Sequence, residues 1–415
     1  MKVALVSPLP PARSGVADFA ATLAAELIAG TSSLVDSYTQ DQFTISEYDS
    51  HDVTLYQMGN NAVFHGKMYA LLQELPGIVE LHDLTLHNMV AGMTVPENRR
   101  EEYIAEYQYV YGNWGAEVGR LDWDHNLQLW ETRPNMFPML ARVLDSALAV
   151  IVHSQAAAAI VRQHSATVPC WVIPLMTRVI ERRYYSLPRT SIRISSFGQV
   201  QRNKQVPETF QALARLASRY SFSYTLVGSS SRERDYLLRI ATQYGIRDRV
   251  EFIGRVSRDV LLDSIAGTDI TVNLRHPTYG ETSAALLDCF SIGTAAIVTN
   301  HGWYRELPDE ICMKVSPSAV ELPSVLAKLM ARPKVREELI ASSRRWVEVH
   351  HGPDAVVPMY DRVLHESYPR SRITSSRYAR RLARTLGVPI PRLNVRSLER
   401  SLREKVHAEM AASNK

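Results

Sequence analysis

Cysteine is scarce: three residues in 415, at positions 170, 289 and 312. They lie far apart and never form C-x-x-C, which excludes a disulfide framework and a zinc-ribbon type of site. Each stands in or beside an apolar run, so the expectation is three reduced, buried, structural thiols in a cytoplasmic protein. Long apolar runs are missing as well; none approaches the about 18–20 residues that a membrane span needs. The apolar start at 1–9 passes directly into a polar loop and is too short to be expected as a signal peptide. The first strand–loop–helix pattern lacks G-x-G-x-x-G, the dinucleotide fingerprint. No histidine, cysteine or carboxylate cluster has metal-ligand spacing, so no metal site and no cofactor are expected.

What is present describes a two-domain α/β chain. Apolar residues make up 46% and charged residues 22%, an ordinary globular balance that argues against global disorder. Short apolar runs at 3–7, 34–38, 53–57, 78–81, 148–153 and 171–173 read as strands. A second series follows at 193–197, 222–227, 250–253, 270–274, 295–299 and 311–315. Amphipathic helical patterns separate them, as at 16–29, 206–219, 232–244, 284–291 and 320–330. Alternation of this kind implies two parallel sheets, hence two Rossmann-like domains facing a cleft. The expected boundaries are 1–174 for the first domain, 190–346 for the second and 347–368 for helices that return to the first. Residues 96–144 lack strand signals and read as two or three helices. Their Asp122-Trp123-Asp124 spells D-x-D, yet it lies in a helical, aromatic stretch and is read as coincidence.

The stretch 273–309 organises the second domain. A buried strand gives way to a polar loop through Pro277 and Gly280, then to a helix that Thr282 or Ser283 can cap. Gly293 stops that helix, and the next strand begins at 295. Strand, loop and helix N-terminus is where an open α/β sheet binds ligands. Glu281 stands at the mouth of the helix, and Asp288, seven residues on, is close to two turns away on the same face. The amides of Thr282, Ser283 and Ala284 can donate to phosphate or sugar oxygens.

Gly280-Glu281-Thr282-Ser283 through Asp288, with Ser291-Ile292-Gly293 behind it, resembles the site of the family-4 retaining glycosyltransferases. Glu281 is displaced by one position from the family's first glutamate, and Asp288 replaces its second. Two further motifs extend the resemblance across residues 1–368. Gly198-Gln199-Val200-Gln201-Arg202-Asn203-Lys204 is similar to the family's G-R-x-x-x-x-K loop, with Gln199 where the family has arginine and Arg202 available to replace that charge. His82-Asp83 ends a strand as the family's cleft histidine does. The resemblance implies a GT-B fold and metal-independent, front-face transfer of a hexose-type sugar from a nucleotide-diphosphate donor. The acceptor would be a glycan or lipid-linked glycan in cell-surface polysaccharide synthesis. Lys204 and Arg202 would face the diphosphate, Glu281 the sugar hydroxyls, Asp288 the ribose and His82 the donor sugar. Arg255 and Val256 lie in the loop that meets the base. Gly15 either leaves room for the diphosphate or simply begins a helix. Two rivals on the same fold are a nucleotide-sugar 2-epimerase and a non-catalytic nucleotide- or glycan-binding protein; no nucleic-acid partner is expected.

The tail differs in kind. Residues 369–415 carry ten Arg and two Lys against three Glu, a net of +9, whereas the whole chain is +4 and residues 1–368 therefore about −5. Apolar stripes of Tyr378, Leu382 and Leu386 and of Leu398, Leu402, Val406 and Met410 are flanked by basic residues and separated by Pro389 and Pro391. Two readings stay open: a helix pair docked on the body or on a second subunit, and an interfacial anchor on the anionic inner membrane face.

Overall fold

The structure, a computed structural model, describes residues 1–12, 14–180, 191–228 and 231–374. Most of the connecting segment and of the basic tail lie outside these, so the tail readings at 375–415 have no structural counterpart. The chain divides into two compact units: 1–153 with 157–173 and 357 onward, and 154–156 with 174–356.

The first unit holds six parallel strands: β1 (Lys2–Val6), β2 (Leu34–Tyr38), β3 (Val53–Met58), β4 (Ile78–Leu81), β5 (Ala149–Val152) and β6 (Cys170–Val172). Their order is β2-β1-β3-β4-β5-β6. β1, β3, β4 and β5 are apolar along nearly their whole length and buried on both faces, as parallel strands covered by helices must be. The second unit repeats the plan with β7 (Ile192–Phe197), β8 (Phe222–Val227), β9 (Val250–Ile253), β10 (Ile270–Asn273), β11 (Ala295–Thr299) and β12 (Met313–Val315). Here the order is β12-β11-β10-β7-β8-β9. β7 and β10 pair side by side while their onward connections leave in opposite directions, toward β8 and β11. That divergence opens a crevice at the strand C-termini, the position where such sheets hold ligands.

Local signals set the elements around this crevice. The Ser283 hydroxyl accepts from the Leu286 amide and caps the helix Ala284–Ile292. Gly293 closes that helix at φ 101°, a backbone conformation that a side chain would strain. The helix is apolar nearly all round and buries Leu286, Leu287, Cys289, Phe290 and Ile292, which fixes its N-terminus against the sheet. Full burial of such side chains contributes roughly 1.5–3 kcal/mol each.

The expected strands all appear, shifted at most by two residues at an end. The helices are less complete. The pattern at 206–219 forms a helix only over Val206–Ala214, before turns through 219. Helices at Ile45–Asp49, Ala62–Glu74 and His87–Thr94 were not foreseen. The segment 96–144 contains a helix Arg100–His125, kinked at Gly112, then short helices at Leu129–Thr132 and Ala141–Ser146. The last helix, Pro353–Thr374, passes into the first unit from Val357. Cys289 and Cys312 are buried thiols, whereas Cys170 is only half-buried. No helix among the described residues is long and apolar enough to cross a membrane.

Candidate active site

In the second unit, the loops after β7 and β10 are tied together at the crevice. The His276 amide donates to the Asn203 carbonyl at 2.7 Å, and the Asn203 side-chain amide to the Pro277 carbonyl at 3.3 Å. Gly198, directly after β7, has φ 85°, and a Cβ there would stand 3.0 Å from the Lys204 Nζ. The left-handed backbone favours glycine here, and its missing side chain leaves room for the lysine to fold back over the strand end. Lys204 Nζ donates to the Phe197 carbonyl at 2.7 Å. Burial pushes its pKa well below that of an ordinary lysine; nearby Arg275 lowers it further, while Glu281 draws it back up.

Arg275 is the residue that sequence reasoning missed. It lies two residues past β10, its side chain 13% exposed, with Nε 3.4 Å from Glu281 Oε1. Its signal was present in Asn273-Leu274-Arg275-His276-Pro277, but nothing local distinguishes it from a surface arginine. Gln199 and Arg202, by contrast, are exposed on the loop. The charge absent at 199 therefore has a second source, a half-buried guanidinium from the loop after a different strand.

Glu281 is held by its own loop. Oε2 accepts from the Tyr279 amide at 2.6 Å and from the Thr278 hydroxyl at 3.1 Å. Beside it, the Thr282 Oγ1 is buried with no hydrogen-bond partner among the described residues. Ala284 is exposed at the first turn. Asp288 does not share a partner with Glu281. Its two oxygens accept from both terminal nitrogens of Arg258, at 2.5 and 2.6 Å, a bidentate pair that straps the helix Arg258–Ala266 to the helix Ala284–Ile292. In the loop after β9, Arg255 is exposed. Val256 packs on the apolar cluster of Phe197, Cys289 and Ile292.

The first unit carries a site of different character. Gly15 begins the helix Gly15–Gly30, capped by Ser14, and a Cβ on it would meet nothing within 4 Å. One turn on, the Phe19 ring lies edge-on to His82 and His153, with centroids 5.5 and 6.1 Å away. His82 follows β4 and His153 follows β5. The β4–β5 register pairs Val79 with Val150 and Glu80 with Ile151, so its continuation sets the two imidazoles side by side. His82 Nδ1 is 3.3 Å from His153 Nε2, which is also 3.3 Å from Glu80 Oε1. Glu80 accepts from the Tyr360 hydroxyl at 2.6 Å and the Gln57 amide at 3.0 Å. Burial lifts its carboxyl to about 7 against the pull of those two hydrogen bonds. Burial holds His82 well below the usual histidine range, with His153 and His65 adding to the effect, and pushes His153 down to about 4.

His87, five residues beyond His82, is buried among aromatic rings and belongs to the core. It bonds the Tyr103 hydroxyl at 2.8 Å, and burial takes it down to about 3. Glu80, His82 and His153 place one potential ligand atom each within 4.8 Å of one another. Glu80 and His82 share the end of β4, two residues apart, but His153 comes from the end of β5, so no spacing along the chain could announce the trio. The D-x-D tripeptide divides as expected of a helix. Asp122 is buried and accepts from Tyr103 and Tyr107, while Asp124 pairs with Arg100 outside.

Residues 179–346 match the family model described as Glycosyl transferases group 1. No curated protein sequence matches the chain. Among solved structures, sucrose-phosphate synthase (tll1590) from Thermosynechococcus elongatus is 16% identical, with TM-score 0.63 over 89% of this chain and 100% of that one. Anabaena Alr3699/HepE, in complex with UDP, is 13% identical, with TM-score 0.59 over 88% and 100%. WaaG, a glycosyltransferase involved in lipopolysaccharide biosynthesis, is 15% identical, with TM-score 0.52 over 86% and 99%. Together with the two parallel six-stranded sheets, these matches make the architecture GT-B and support a sugar-transferring enzyme, a glycosyltransferase.

Proposed function

We propose that this chain is a retaining, family-4 glycosyltransferase that moves a hexose-type sugar from a nucleotide-diphosphate donor to a glycan or lipid-linked glycan. The observation that carries the reading is the Lys204–Arg275–Glu281 group at the β7/β10 crevice. Two half-buried cations beside a single carboxylate leave positive potential unspent, and a diphosphate supplies the missing negative charge. As the sugar–phosphate bond breaks, charge accumulates on the leaving diphosphate, and Lys204 with Arg275 stabilises it there without a divalent ion. Glu281, fixed by Tyr279 and Thr278, presents its carboxylate to sugar hydroxyls. The unsatisfied Thr282 hydroxyl and the exposed first turn at Ala284 supply donors to phosphate or sugar oxygens. Asp288 serves the ribose indirectly, as the anchor of Arg258.

A nucleotide-sugar donor accords with Anabaena HepE, whose solved complexes contain UDP and UDP-glucose. The test is a melting series with UDP, GDP, dTDP and CDP. One nucleotide should raise the melting temperature, since a ligand at a hundred times its Kd adds about 2.7 kcal/mol. Product analysis should then show the donor's anomeric configuration retained. Stabilisation by none of the four would remove the donor site.

A further inference from the structure

We infer that Arg258 sets the class of nucleotide this chain accepts. By covering Asp288 it removes the carboxylate that would read ribose hydroxyls, so a 2′-deoxyribonucleoside diphosphate binds as well as its ribo form, and thymidine-type donors are admitted. This rests on the reading of the β7/β10 crevice as a diphosphate site.

A diphosphate held at that crevice lies at the N-terminus of the helix Ala284–Ile292. Asp288 stands one turn past Ala284, about 6 Å further along the same helix. The helix Arg258–Ala266, which follows the loop after β9, packs beside it. A nucleoside extending from the diphosphate between these two helices comes to the Arg258–Asp288 pair. A bare carboxylate at that place would accept from ribose hydroxyls in charge-assisted hydrogen bonds. Here the carboxylate is already occupied. Its Oδ2 and Oδ1 accept from the two terminal nitrogens of Arg258 at 2.5 and 2.6 Å. Exposure decides which partner a ligand meets: the Asp288 side chain is 6% exposed and the Arg258 side chain 46%. What faces outward is a guanidinium, which has donors and no acceptor. It can donate to a ring or phosphate oxygen or lie against the face of a base, and neither contact needs a 2′-hydroxyl.

The pair is fixed from both sides. Arg258 is the first residue of its helix, whose cap Ser257 accepts from the Val260 amide. Asp288 sits between buried Leu287 and Cys289 on a helix that Gly293 closes. An aspartate reaches one methylene less far than a glutamate, so it stays behind the guanidinium. Parting the two would strand a buried carboxylate, a cost that a neutral hydroxyl does not offset.

Calorimetry on the full chain with UDP and 2′-deoxy-UDP, and with the matching GDP and CDP pairs, tests this. For each pair that binds, the wild-type Kd values should agree within about threefold, since no charge-assisted hydrogen bond separates them. Arg258→Met keeps the apolar stem and uncovers the carboxylate. It should make the ribo form about ten- to a hundredfold tighter than the deoxy form, the scale of a hydrogen bond to a charged group. Adding Asp288→Leu to it should return the ratio to that of wild type. If Arg258→Met does not fold, Arg258→Lys replaces it: the ammonium engages one oxygen, and a smaller preference in the same direction is expected. A wild-type preference for the ribo form of about tenfold or more overturns the inference. So does a ratio unchanged in the Arg258 variants, which would make the pair a purely structural strap. A ribo preference leaves the transferase reading intact, whereas binding by none of the nucleoside diphosphates overturns both.

Discussion

The two units place opposite kinds of chemistry at the C-terminal ends of their strands: the second at the central pair where its strand order reverses, the first between two successive strands. At the ends of β7 and β10, the second unit gathers charge: a half-buried ammonium, a half-buried guanidinium and one carboxylate. At the ends of β4 and β5, the first unit gathers two neutral imidazoles and a carboxyl that burial lifts toward neutrality. Strand ends bring side chains together in both; the difference lies in what they await. A cation pair half withdrawn from water is suited to an arriving anion. Two buried imidazoles offer hydrogen bonds rather than charge. The match to the glycosyl transferases group 1 family covers 179–346, the charged unit. Recognition of a diphosphate leaves few choices of residue type, whereas a hydrogen-bonding wall can be built in many ways.

The contrast breaks most sharply at Glu281. Glu281→Gln should lower kcat/KM by about a hundredfold, the scale of losing one group fixed against the reacting sugar, while nucleotide Kd moves little. Turnover near wild type would remove Glu281 from the site. Lys204→Ala should weaken nucleoside diphosphate binding by about ten- to a hundredfold, the range of a charge-assisted hydrogen bond, and leave the bare nucleoside nearly unaffected. Calorimetry with both ligands decides it, and equal weakening of the two would make the loop purely structural. Arg275→Gln should follow Lys204→Ala, whereas Arg202→Ala should have a smaller effect.

Protons sharpen the comparison. The free Lys204 has its pKa lowered by burial, and a diphosphate beside it would raise it again. Between those two values binding takes up a proton, so affinity should fall as pH rises. Calorimetry in buffers of different ionisation enthalpy reads that uptake directly, and it should vanish in Lys204→Ala. His153 acts on stability in the opposite pH direction. Its pKa is about 4 in the fold against 6.5 for an ordinary histidine, so the unfolded chain takes up the proton first. Stability should fall as pH drops from about 6.5 to 4, by at most about 3 kcal/mol from this residue. Melting curves across that range should flatten in His153→Gln.

The smallest expected effect on the donor site comes from the tail. A chain ending at Tyr368 should keep nucleotide binding yet lose salt-sensitive binding to anionic vesicles, to which each basic residue near the surface contributes about 1 kcal/mol. Sedimentation with vesicles at low salt reads this. Full-length protein that ignores such vesicles sinks the anchor, and a changed oligomer mass on truncation makes the tail an assembly element.

Much of this protein is legible in its sequence, because the signals are local. Twelve apolar runs bounded by turn residues became twelve parallel strands. Ser283 and Gly293 mark the ends of one helix by capping and by left-handed backbone geometry. Gly198 through Lys204, and Glu281 at a helix mouth, could be singled out because loop, glycine and charge are neighbours along the chain. The remainder depended on pairing between distant strands. Arg275 meets Lys204 only because β10 lies against β7. His82 and His153, 71 residues apart, meet through the register of β4 with β5, and Tyr360 reaches Glu80 from the last helix. Asp288 could be expected at the helix face, but not its capture by Arg258, which depends on how two helices pack. Sequence alone determined which segments form strands and helices and which loops carry charge, since hydrophobic period and turn chemistry act over a few residues. Tertiary structure decided which charges and which imidazoles come together, since burial and side-chain contact between distant segments exist only once strands are paired.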